Sequence, residues 1–83
     1  MNRLWLLRPL EGLKEKENPW EPWYDKSFGF IVRAESEEEA RNLAKNECGY
    51  EGSDAWLDPA FSSCEELTQE GTPSVIMRDF LAA

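Results

Sequence analysis

The chain has no histidine, only two cysteines, and no long apolar run. Each shortage excludes a class of chemistry. Without imidazole, the usual Ser–His and Cys–His nucleophilic arrangements cannot form. Cys48 and Cys64 alone cannot complete a structural zinc site, and a secreted disulfide scaffold would use more of them. They read as free, buried thiols of a protein in a reducing cytoplasm, with a single bridge as the alternative. The glycines Gly12, Gly29, Gly49, Gly52 and Gly71 are isolated and form no phosphate-binding loop. No stretch is apolar enough to span a bilayer. Met1–Leu10, broken by Arg3 and Arg8, lacks the h-region and cleavage site of a signal peptide.

Basic charge is also scarce, and unevenly so. Residues 1–34 carry six basic and five acidic side chains, while residues 35–83 carry three basic and twelve acidic ones. The net charge of −8 therefore belongs to the second part of the chain. Direct contact with a nucleic-acid backbone needs the opposite sign. A partner with a basic surface suits this field.

Aromatics are plentiful. With 83 residues the chain has room for one domain with a thin core, spanning 1–83. Four Trp, four Phe and two Tyr supply large rings to fill it, each burying about 150–250 Å² when enclosed. That content argues against disorder despite a negative mean hydropathy.

Arg3–Leu10 suits a strand ended by Pro9. Residues 11–26 form a long loop broken by Gly12, Asn18, Pro19 and Pro22. In Ser27–Ala34, Phe28, Phe30, Val32 and Ala34 alternate with Gly29, Ile31 and Arg33, predicting a strand antiparallel to the first. Glu35–Gly49 predicts a helix, with Ser36 and Glu39 in a capping box, Glu37 and Glu38 in the first turn and Gly49 as a left-handed stop. Its narrow apolar face runs through Ala40, Leu43, Ala44 and Cys48. Residues 50–62 read as irregular, with Trp56, Leu57 and Phe61 tucked onto the core. Ser63–Thr68 reads as an edge strand, 70–73 as a turn and Ser74–Phe80 as a strand. The expected fold is α+β, in the order β-β-α-β-β, with an antiparallel sheet of about four strands and one helix packed on one face.

Two residue sets are candidate contact sites. Trp20, Trp23 and Tyr24 lie in the proline-stiffened NPWEPWYD loop, and such rings dominate interface hot spots. The competing reading is that one or two of them close the core. The second set is acidic: Glu51, Asp54, Asp58, Glu65 and Glu66 suit docking on a basic groove, against the reading of an ordinary solvated face. No spacing singles out a general acid–base pair or a calcium loop, so no catalytic residue, metal ligand or cofactor is expected.

The stretch Phe28–Ala44, FGFIVRAESEEEARNLA, resembles a strand-to-capped-helix unit found in many small bacterial and phage proteins. In length, acidity and lack of catalytic motifs the whole chain resembles small phage- and prophage-encoded inhibitors of the anti-CRISPR type. That resemblance implies a non-catalytic protein that covers a nucleic-acid-binding surface of a host protein such as a CRISPR effector. Neither direct nucleic-acid nor membrane binding is expected, and an exposed edge strand leaves a homodimer open. The alternative is a nucleotide or other small-ligand binder, with the aromatic loop stacking and Arg3, Arg8, Lys26 or Arg33 holding phosphate.

Overall fold

The computed structural model describes residues 1–78. Strand β1 (Arg3–Pro9) lies between β2 (Phe30–Ala34) and β3 (Ser62–Leu67) in a three-stranded antiparallel sheet. Its central place matches its sequence: Trp5, Leu6 and Leu7 are consecutive apolar residues and all three are buried, as a strand covered on both faces requires. Arg3 pairs with Ala34 and Leu7 with Phe30 on one side, and Leu4 with Leu67 and Pro9 with Ser62 on the other. Trp5 and Leu7 point into the core together with Ala34 and the half-buried Phe30 and Val32, so the period-two reading holds over Phe30–Ala34, while Phe28, expected on the same face, precedes the strand and is exposed. Ile31 and Arg33 are exposed.

Helix α1 (Glu37–Lys45) follows β2 directly and packs on the sheet. The Ser36 hydroxyl accepts the Glu39 N–H at 3.2 Å, while the Glu39 carboxylate takes the Glu35 N–H at 2.8 Å, one residue ahead of the usual capping-box partner. The helix stops at Lys45, earlier than the expected Gly49, and Asn46 caps it in a right-handed conformation. Gly49 is needed for a different reason: a Cβ there would meet the Asp25 carbonyl oxygen at 2.5 Å. Leu43, assigned to the buried face, is 42% exposed, whereas Arg41 is buried.

A second helix, α2 (Ser53–Leu57), occupies part of the segment expected to be irregular. Its Trp56 is fully enclosed, with Trp20 edge-on at 5.3 Å and Phe30 edge-on at 4.8 Å. Arg41 binds α1 to this unit. Its guanidinium donates to the Trp56 carbonyl and to the hydroxyl and carbonyl of Ser62, and its Nε donates to Glu37. With these bonds made, a buried cation is tolerated between two helices and a strand.

The fold is therefore α+β, with three strands and two short helices among the described residues in place of the expected four strands and one helix. Two elements differ for identifiable reasons. The second strand begins at Phe30, later than Ser27, because the Ser27 carbonyl is taken by the Trp20 indole and its N–H by Glu51. The expected last strand, Ser74–Phe80, has no ladder partner over residues 74–78, and Asp79 and Phe80 lie outside the described residues. Residues 76–77 instead contact Arg8 of β1 and Gly29, just before β2. Arg8 donates to the Ile76 carbonyl, and the Met77 methyl fills the space where Gly29 has no side chain. Cys48 and Cys64 are free thiols, each half-buried against the core. No helix among the described residues is long and apolar enough to cross a membrane.

Candidate functional site

The proline-rich loop is fixed at its base and exposed at its tip. Asn18 starts it, its side-chain oxygen accepting the Trp20 N–H and its carbonyl accepting the Glu21 N–H. Trp20 is 4% exposed, lies against Trp56, and its indole N–H closes the loop on the Ser27 carbonyl at 2.7 Å. Asp25 takes a left-handed conformation (φ 58°), one that Asp tolerates better than most residues. Its carbonyl accepts the Tyr50 N–H. Between these anchors Trp23 is 50% exposed and Tyr24 59% exposed, with ring centroids 6.0 Å apart and the rings nearly perpendicular.

These two rings form part of the wall of an open groove of about 720 Å³. Three chain segments build it: the end of β1 and the turn after it (Arg8–Glu11), the loop from Trp23 to Phe28, and Met77–Arg78. Arg8 is held by an ion pair to Glu65 at 2.9 Å and by its bond to the Ile76 carbonyl. Lys26 donates to the Pro22 carbonyl.

The eight residues chosen from sequence separate into distinct environments. Trp23 and Tyr24 stand together at the surface. Trp20 and Glu51 belong to the core and present no surface to a partner. Glu51 accepts the Trp56 indole N–H at 2.6 Å and the backbone N–H groups of Gly49 and Ser27. Asp54 and Asp58 are exposed at the two ends of α2, and the Asp58 carboxylate accepts the Ala60 N–H. Glu65 and Glu66 point to opposite faces of the sheet. Glu65 pairs with Arg8 beside the groove, and Glu66 pairs with Arg3 at 2.8 Å. Arg3 in turn lies over the Trp5 ring. Further exposed carboxylates on Glu37, Glu38 and Glu39 crowd the start of α1.

Of the cations considered from sequence, Arg8 and Lys26 line the groove, while Arg3 and Arg33 lie elsewhere. Sequence reading missed Phe28 and Met77 as groove residues and Tyr50 as a further exposed ring, 81% exposed. Phe28 carried no distinguishing signal, since its alternation with Phe30 and Val32 assigned it to the core face. Met77 carried none, because contact across so many residues is not local. No cluster of three metal-capable side chains occurs among the described residues. Neither a protein-family model, nor a characterised protein, nor a solved structure matches the chain.

Proposed function

We propose that the chain is a non-catalytic interaction protein, an acidic inhibitor that docks on a basic, nucleic-acid-binding surface of a partner protein. The observation that carries this reading is the pairing of Trp23 and Tyr24, two large exposed rings on a loop whose base is fixed by Trp20 and Ser27. Rigid, exposed aromatics bury large area on contact at little entropic cost, and they form the centre of many interfaces. The exposed carboxylates of Glu37, Glu38, Asp54 and Asp58 supply the complementary field. The resemblance to inhibitors of the anti-CRISPR type extends the reading to effectors that hold nucleic acid in a cationic channel.

The test is capture from bacterial lysate by the full chain. The captured protein is then purified and its affinity measured for wild type, for the Trp23→Ala/Tyr24→Ala pair and for the Asp54→Lys/Asp58→Lys pair. The expected partner binds nucleic acid, is displaced by it, and loses affinity for each variant by about tenfold or more. Its binding weakens as salt rises. If every captured protein binds both variants as tightly as wild type, the reading is wrong.

A further inference from the structure

We infer that the groove beside Trp23 is a binding site for a small planar anion, an aromatic ring bearing a phosphate or carboxylate. This goes beyond the docking role and does not depend on it. Three features of the groove point the same way. Its volume of about 720 Å³ falls within the range of small-molecule sites, which run from about 300 to 1,000 Å³. Its walls offer Trp23, Tyr24 and Phe28, all partly exposed, and the soft side chain of Met77, surfaces on which a planar ring stacks.

The third feature is charge. In a chain of net charge −8, the described lining of this groove holds Arg8, Lys26 and Arg78 beside Glu11 and Asp25. With Glu65 counted as the partner of Arg8, the described groove is near neutral and far less acidic than the chain as a whole. Arg8 is also positioned in advance: Glu65 and the Ile76 carbonyl hold its guanidinium at the groove, so an anion meets a donor whose orientation is already fixed. Lys26 spends one of its ammonium protons on the Pro22 carbonyl, and a lysine ammonium carries two more.

The full chain supplies its own reporter, because Trp23 is the exposed member of four tryptophans, the others being at most 7% exposed. The experiment titrates it with adenosine monophosphate, indole-3-acetate, adenosine and inorganic phosphate, reading tryptophan emission and calorimetric heat. At least one of the two aromatic anions is expected to bind saturably and quench Trp23. It should bind about tenfold more tightly than adenosine or phosphate alone. The tighter of the two identifies the anion. By calorimetry, Trp23→Leu and Lys26→Gln should each weaken it by about tenfold, with unchanged melting curves showing that the variants fold. Asp54→Lys/Asp58→Lys, which disrupts the docking face, should bind the anion as wild type does. No binding of either aromatic anion at millimolar concentration overturns the proposal. Binding unaffected by both groove substitutions overturns it equally.

Discussion

The Trp56 indole N–H donates to the Glu51 carboxylate at 2.6 Å, and the other oxygen of that carboxylate takes the N–H groups of Gly49 and Ser27. One buried acid thus joins the core tryptophan, the turn after α1 and the base of the exposed loop. Replacing Glu51 with Ala leaves the buried Trp56 indole N–H and the part-buried N–H groups of Gly49 and Ser27 without this acceptor, at a cost of about 2 kcal/mol or more. Glu51→Gln keeps one acceptor oxygen but turns an amide NH₂ toward another donor, and should cost about 1–3 kcal/mol. Urea unfolding measures both. Because Ser27 also holds Trp20, proteolysis within residues 18–28 should speed up in both variants.

Arg41 has a comparable place between α1, α2 and β3. Its guanidinium bonds depend on a fork that lysine lacks. Arg41→Lys should destabilise by about 2–4 kcal/mol, since one ammonium nitrogen cannot stand where two separate guanidinium nitrogens meet the Trp56 and Ser62 carbonyls. Glu37, its partner at 2.9 Å, is half exposed, so Glu37→Gln should cost no more than about 1 kcal/mol. Equal losses for the two, measured by denaturant unfolding, would show that the ion pair rather than the buried carbonyl bonds accounts for Arg41.

These two residues also mark the boundary of what the sequence reveals. Local rules located β1, α1 and its Ser36–Glu39 cap, and the alternation that turns Val32 and Ala34 inward. They could not show that Arg41 lies inside and Leu43 outside, because the partners of Arg41, at Trp56 and Ser62, are distant in sequence. The same limit hid α2. Five residues with a Gly52 N-cap and no side-chain cap bond carry little helical signal of their own, and packing on α1 fixes them. In the aromatic loop, Trp20, Trp23 and Tyr24 look equivalent on paper. Only the contacts with Trp56 and Ser27 separate the enclosed ring from the exposed pair.

Cys64 offers a pH-dependent check on the core. Burial pushes its thiol above the ordinary value, the Glu37 carboxylate adds to the rise, and the Arg41 guanidinium opposes it. The proton is therefore held more tightly in the folded chain than in the unfolded one. The stability this thiol contributes is complete below the unfolded value, about 8.5, and is lost as pH rises through the folded value. Wild type should lose more stability than Cys64→Ser as pH rises above about 8.5, and Cys64 should alkylate more slowly than an unfolded thiol. A parallel decline of the two proteins would contradict the assignment.

Trp20 and Trp23 should respond oppositely to the same substitution. Trp20→Ala removes an enclosed ring from against Trp56 and should cost about 3–5 kcal/mol. Trp23→Ala removes a half-exposed ring and should leave stability within about 0.5 kcal/mol, while it abolishes most partner affinity. Thermal or urea unfolding of the two variants distinguishes them.

Acrylamide quenching of tryptophan emission, in the free chain and in complex with the captured partner, tests the recognition surface most directly. Free wild type should show one readily quenched indole that is missing in Trp23→Leu, and the complex should shield it. If the indole at position 23 remains as quenchable in the complex as in the free chain, the loop is not where this protein makes its contact.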